Sequence, residues 1–274
     1  MKLFAYGDSW TEGKGADPIK EEAIEFIEKR KHFRNSKSWP KVLSRLMGLP
    51  SYNNSTSGIN NNTIFNQLIT DIKSETIQSG DLVIIMWSSS LRDDVPFFPL
   101  TEWHTWGVNY ISEPHKTKWF TQKDLTNNPT YNQFLINFKE FFIGNLYNQE
   151  YYNIINQNYI LFIQNLCEHY KINYIFCDAF DRMLDDIKIE NDKTHLITKS
   201  VYWGFKEKTF KNFLISTNNK LVWETPQYDI MNVPGMHPSE LGYKLIGEEL
   251  YNFINNNKKD IIRYTNNDKK IKIL

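Results

Sequence analysis

The sequence predicts an α/β domain built on a parallel sheet with helices on both faces, and three observations predict it. Apolar runs at Leu3–Tyr6, Leu82–Trp87 and residues 172–177 alternate with stretches of helical periodicity. The run Leu-Val-Ile-Ile-Met-Trp at 82–87 is continuous and partly β-branched, as a strand covered on both faces requires. The first run ends in the tight turn Gly7-Asp8-Ser9, and sheets of this kind carry their working residues at the carboxyl ends of their strands.

The elements follow in order. After the first strand, residues 18–33 are charged and read as helical or partly irregular. Trp39–Met47 places Trp39, Val42, Leu43, Leu46 and Met47 on one helical face, with Ser38 as cap and Gly48 as stop. Ser51–Asn53 reads as a second, short strand. Residues 63–77 form an amphipathic helix striped by Ile64, Leu68, Ile72 and Ile77, ended by the turn Gly80-Asp81. Residues 91–129, rich in Trp, Phe, Pro and His, hold no period and are too long for an ordinary connection, so they read as an insertion or lid. Residues 131–170 look helical with a break near Gly144-Asn145, residues 181–230 are a mixture of weak helices and loops, and 239–254 closes the domain as a helix with Leu241, Leu245, Ile246, Leu250 and Phe253 on its face. The expectation is a single domain over 1–274, with an aromatic-rich insertion at about 91–170 and a frayed polar tail at about 258–274.

Composition excludes several classes. The chain has 274 residues with 32 basic and 32 acidic side chains and a formal net charge of zero, so no global field draws it to nucleic acid or an anionic membrane. The basic run Lys29-Arg30-Lys31 and the pair Lys269-Lys270 read as solvated surface. Two cysteines, Cys167 and Cys177, make no disulfide framework and read as small apolar core residues. The N-terminal apolar run is too short for a signal peptide and no run is long enough to span a bilayer, so a soluble, intracellular protein is expected. The abundance of Asn, Lys and Ile matches an AT-rich genome and suits a virus, a phage or an AT-rich microbe, for which presence in a virion or release by lysis is an alternative location.

Three positions carry chemistry. Ser9 follows a buried strand in a turn entering a helix, which exposes a hydroxyl and turns a backbone N–H outward; it serves either as a nucleophile or as a helix N-cap. His237, in Pro234-Gly235-Met236-His237-Pro238, sits just ahead of the last helix, where an imidazole reaches over the sheet as a base or simply packs. Gly58, in Asn53-Asn54-Ser55-Thr56-Ser57-Gly58, offers a backbone N–H with no side chain in its way, or is a flexible polar turn. His104 and His115 with Asp93 and Asp94 match no familiar ligand spacing, and there is no Gly-rich phosphate loop, so neither metal nor cofactor is expected.

Taken together, strand–Gly-Asp-Ser at the start, Ser-x-Gly after the second strand and His-Pro-x-x-x-Gly-Tyr before the last helix resemble the SGNH (GDSL-type) hydrolase family. The resemblance spans the chain in order, with 91–170 outside it. It implies a flavodoxin-like three-layer α/β/α sandwich, Ser9 as nucleophile, Gly58 as a backbone oxyanion donor and His237 as base. Two motif positions depart from the family. Its third motif, Gly-x-Asn-Asp, here reads Trp87-Ser88-Ser89-Ser90, which puts Ser89 at the oxyanion asparagine; losing such a donor costs about 3 kcal/mol. Arg92 is either a compensating donor or an ion-pair partner of Asp93 or Asp94. The Asp expected three residues before the histidine is Pro234, which leaves Asp229 or a backbone carbonyl to orient the imidazole.

The expected activity is hydrolysis of a carboxylic ester through an acyl-enzyme on Ser9, with a short acyl ester, an O-acylated carbohydrate or a lipid as substrate. The aromatics Trp103, Trp106, Tyr110, Trp119 and Phe120 either pack as a lid on the sheet edge, stack on sugar rings or line an acyl pocket, and the balance leans towards a carbohydrate ester. The alternatives are an inactive glycan-binding or structural module on the same fold, and an acyltransferase using the same site.

Overall fold

The computed structural model describes residues 1–16, 27–88, 92–96, 103–107, 148–180, 182–184, 192–223 and 237–265; the side chains of 27–31, 92–96, 103–107 and 149 are outside that description. The centre is a four-stranded parallel sheet of β1 (Leu3–Tyr6), β2 (Ser51–Asn53), β3 (Leu82–Trp87) and β6 (Asn173–Asp178) in the order β2-β1-β3-β6. Leu3 pairs with both Ser51 and Leu82, and Leu82 with Asn173, so the strands start level and end at one edge. Every residue of β1, β3 and β6 is buried, which is why β1, β3 and the Tyr174–Cys177 centre of β6 read as apolar runs.

Four of the helices form two pairs. α3 (Trp39–Met47) packs on β1 and β2 and against α7 (Glu240–Asn256). On the other side, Phe65 of α4 (Asn61–Lys73) packs with tilted rings against Tyr159 and Phe162 of α5 (Gln149–His169), at ring separations of 4.8 and 5.4 Å. Right-handed crossovers demand this split, because β1 connects outward to β2 whereas β2 connects back to β3. The result is the flavodoxin-like strand order with its switch point between β1 and β3, where ligands bind in such sheets.

Local signals explain most boundaries. α3 carries Pro40 in its first turn and ends at Gly48 with φ +66°, whose N–H bonds back to Arg45 while that of Leu49 bonds to Ser44. α4 starts two residues before the predicted position because Asn60 caps it, accepting from the Thr63 N–H at 2.9 Å. It ends at Lys73, before Ile77, which is nonetheless buried. α5 begins at Gln149 with Asn148 as its cap; the predicted helical stretch before it lies outside the described residues. The short helices are α1 (Ser9–Glu12), α6 (Phe210–Ser216) and α8 (Lys258–Ile261), and α2 spans Ile27–Lys37. Cys167 and Cys177 are free and fully buried, and burial pushes both thiols up from their ordinary range.

Three expectations are corrected. The patternless stretch after Leu91 contains an antiparallel hairpin, β4 (Arg92–Pro96) with β5 (Trp103–Gly107), in register from Arg92 opposite Gly107 to Pro96 opposite Trp103. The buried face of α7 is Gly242, Tyr243, Ile246, Gly247, Leu250 and Ile254, whereas Leu241, Leu245 and Phe253 are only partly buried. Residues 258–265, expected to fray, are docked. Ile261 is fully buried, and the N–H groups of Arg263 and Tyr264 both donate to Asn173 Oδ1 at 2.8 and 2.9 Å.

Asn173 also donates to the carbonyls of Gly80 and Tyr264, both at 3.0 Å. All its hydrogen-bonding capacity is spent joining the start of β6 to the Gly80 turn and the chain after α8. Asn173→Ala is therefore expected to cost about 2 kcal/mol in urea unfolding, since it strands several polar groups, and to open residues 262–265 to limited proteolysis. A stability change under 0.5 kcal/mol with an unchanged digestion pattern would show that the dock is not held by this side chain.

Candidate active site

The site is assembled at the carboxyl edge of the sheet, at the switch point. β1 ends at Tyr6, Gly7 turns the chain, and α1 opens at Ser9, which is buried. The cap of α1 is Asp8 rather than Ser9. One carboxylate oxygen of Asp8 accepts from the Trp10 N–H at 3.0 Å, and the other accepts from Ser88 Oγ at 2.8 Å. Ser88 follows β3, so this bond bridges the two strands that flank the switch point. The Ser88 N–H in turn donates to Asn61 Oδ1 at 2.8 Å. The capping role that a serine could fill in this turn is taken, and the Ser9 hydroxyl is not needed for it.

Gly7 has a steric reason. A Cβ there would lie 2.1 Å from Thr11 Oγ1, 2.8 Å from Thr11 Cβ and 2.9 Å from the Met86 carbonyl oxygen. The turn therefore brings the backbone of β1 directly against β3 and α1. Gly7→Ala is expected to cost about 1–3 kcal/mol through overpacking, with a T11G partner recovering only part because the Met86 clash remains. Equal stability of Gly7→Ala and wild type in thermal unfolding would refute the close approach.

The loop after β2 is pinned to this turn residue by residue. Asn53 donates through Nδ2 to the Thr11 carbonyl at 2.7 Å, and its Oδ1 accepts from both the N–H and the hydroxyl of Ser55. The Asn54 N–H donates to Ala5, and its amide side chain donates to Asp71 at 2.8 Å beside Tyr6, whose hydroxyl donates to the same carboxylate at 2.5 Å. Burial, followed by that carboxylate, pushes the Tyr6 phenol well up from its ordinary range. The Thr56 N–H donates to the Gly7 carbonyl at 3.3 Å. Ser57 donates through N–H and hydroxyl to one oxygen of Glu12, at 2.7 and 2.6 Å. Gly58 follows with φ +85°, and a Cβ on it would meet nothing within 4 Å. Its glycine identity thus answers to backbone conformation and not to crowding.

The last loop reaches the same turn from the other end of the chain. His237 is buried at 7% exposure and precedes Pro238, which forms a β-bridge with Trp223. Trp223 packs edge-on against Trp10, the neighbour of Ser9, with centroids 5.9 Å apart. Tyr243, in the first turns of α7, donates its hydroxyl to the Lys14 carbonyl at 2.6 Å. The residues flanking Ser9 and His237 are thus linked through Trp223, and the Gly58 loop is fastened to the same helix.

Ser89 and Asp229 lie outside the described residues, and so do His115, Tyr110, Trp119 and Phe120. Arg92 opens β4, opposite Gly107, and its side chain is outside the description. Among the described residues no group of three or more His, Cys, Asp or Glu is placed to hold a metal ion, and no helix is long and apolar enough to cross a membrane. Sequence reasoning missed Asp8, Glu12, Asn53, Asn61 and Ser88, whose partners are mostly far away in the chain. Only Asp8 had a local signal, as an acidic residue at a helix start.

No family model matches the sequence, and no curated protein matches it. Among solved structures, a protein described as lipolytic, of the G-D-S-L family, from Desulfitobacterium hafniense aligns over 92% of this chain and 98% of its own, with a TM-score of 0.43 and 16% identity. A carbohydrate esterase family 2 enzyme with a carbohydrate-binding domain, from Corynascus thermopiles (Myceliophthora fergusii), aligns over 94% of this chain and 66% of its own, with a TM-score of 0.40 and 13% identity. The chain is structurally similar to both.

Proposed function

We propose that the chain is a serine hydrolase that cleaves a carboxylic ester through an acyl-enzyme on Ser9. The observation that carries this reading is the convergence just described: Ser9 opens a helix at the switch point, released from capping by Asp8, while Trp10 touches Trp223 beside Pro238 and the loop ending in Gly58 is tied to the same helix. In the reaction, Ser9 Oγ attacks the ester carbonyl carbon as His237 takes its proton. The oxygen that becomes negative accepts hydrogen bonds from the N–H groups of Ser9 and Gly58, and Ser89 and Arg92 are the remaining candidates for that hole. Collapse breaks the carbon–oxygen bond, and the imidazolium returns the proton to the departing alcohol. Water then attacks the acyl-enzyme with His237 again as base, which frees the acid and restores the hydroxyl. Asp229 or a backbone carbonyl orients the imidazole. The aromatic-rich insertion supports an O-acylated carbohydrate as substrate.

The test is incubation with a fluorophosphonate probe followed by peptide mapping. Modification of Ser9 supports the reading. An unmodified Ser9 in folded protein that binds a glycan array would instead make the chain a binding module, and product analysis with a competing alcohol would separate transfer from hydrolysis.

A further inference from the structure

Glu12 has no part in the chemistry above, yet it joins the two segments that the chemistry needs. It ends α1, one turn after Ser9, and is nearly buried at 7% exposure. Its Oε2 accepts both donors of Ser57, the N–H at 2.7 Å and the hydroxyl at 2.6 Å, while Arg34 Nη1 stands 3.6 Å from Oε1. Ser57 is the residue before Gly58, so a carboxylate on the nucleophile's own helix grips the peptide unit adjoining the proposed oxyanion donor. The start of the loop is held by backbone and amide bonds at Asn53, Asn54 and Thr56, and Asn60 caps α4 beyond it, whereas Ser57 itself is held by Glu12. Gly58, with φ +85°, has no side chain to anchor it, and a Cβ built on it would meet nothing within 4 Å.

We propose that Glu12 is a positioning residue, which sets the Gly58 N–H relative to Ser9 by locking Ser57. This rests on the esterase reading. A charged acceptor suits the task, because charge-assisted bonds are shorter and roughly twice as strong as neutral ones, and a donor displaced by about 1 Å loses most of its value to the transition state. Glu12→Ala is expected to lower kcat for p-nitrophenyl acetate about 30-fold with KM changed less than about threefold, part of the 10²–10³ attached to a whole oxyanion donor. Glu12→Gln, which keeps one acceptor oxygen, is expected to recover much of that loss. Affinity for an arylboronic acid, which forms a tetrahedral adduct on an activated serine, should fall in parallel with kcat.

The experiment measures kcat, KM and boronate affinity for wild type, Glu12→Gln and Glu12→Ala, with the concentration of competent sites fixed by end-point fluorophosphonate titration. The inference stands if the variants titrate fully yet turn over slowly and bind boronate weakly in the order wild type, Gln, Ala. It falls if kcat per titrated site is unchanged, which makes Glu12 a stability residue only. It falls also if KM rises while kcat holds. An unlabelled wild type would instead overturn the esterase reading, and this inference with it.

Discussion

Ser9→Ala is expected to abolish fluorophosphonate labelling and to lower turnover of p-nitrophenyl acetate by about 10⁴-fold or more, while leaving unfolding within about 1 kcal/mol of wild type. The two halves of this expectation have separate causes. The fold half follows from the cap: Asp8 accepts the Trp10 N–H and the Ser88 hydroxyl, so α1 and the β1–β3 bridge persist without Oγ. The chemical half follows from the covalent step, which no other described hydroxyl on this turn replaces, since Thr11 is buried with its Oγ1 against Gly7. His237→Ala should cost a similar factor, and the double variant no more than either single one, because nucleophile and base act as a unit. Additive losses would mean that the two side chains do not share a proton. Undiminished turnover in Ser9→Ala would move the activity elsewhere on the molecule.

How much of this was legible in the sequence depends on the range of the interaction behind each feature. β1, β3 and β6 were readable because burial on both faces leaves apolar runs of four to six residues, which a short window reveals. The hairpin β4–β5 was not, because Arg-Asp-Asp-Val-Pro and Trp-His-Thr-Trp-Gly show neither an apolar run nor alternation, and its pairing is set between residues about ten apart. The face of α7 was misread by counting hydrophobic side chains. Gly247 faces α3 because a Cβ there would strike Val42 at 2.7 Å, so the close approach of two helices is encoded by a missing side chain. The tail looked polar enough to fray, but Asn173 fastens its backbone, and backbone partners leave no trace in composition. The site divides in the same way. Ser9, Gly58 and His237 sit in short motifs with turn chemistry of their own. Glu12 and Asn53 act through contacts reaching 42 to 45 residues along the chain and Ser88 through one of 80, which no local pattern announces.

Trp10→Ala is expected to destabilise the fold by about 3–5 kcal/mol and to cost activity beyond the fraction unfolded. The indole is 1% exposed and fills the space between α1 and the turn ending at Trp223. It also meets Phe180, just past β6, edge-on at 4.8 Å. Deleting it removes a large buried area and leaves a cavity whose walls are strand ends and a β-bridge, which collapse poorly. One wall is Trp223, paired with Pro238, and the neighbouring Ser239 donates through N–H and hydroxyl to Val222 and Leu221 at 2.8 and 2.6 Å. A shift of that turn therefore carries the backbone of His237 with it. Trp10→Phe keeps an aromatic ring in the gap and should lose less than half as much stability. Urea midpoints measure the stability part, and turnover per site titrated by fluorophosphonate, at a temperature where all three proteins are folded, measures the coupling. A Trp10→Ala protein with a large stability loss but unaltered turnover per site would show that the packing between the two ends of the chain holds the fold without aligning the imidazole. A loss below 1 kcal/mol would deny the packing itself.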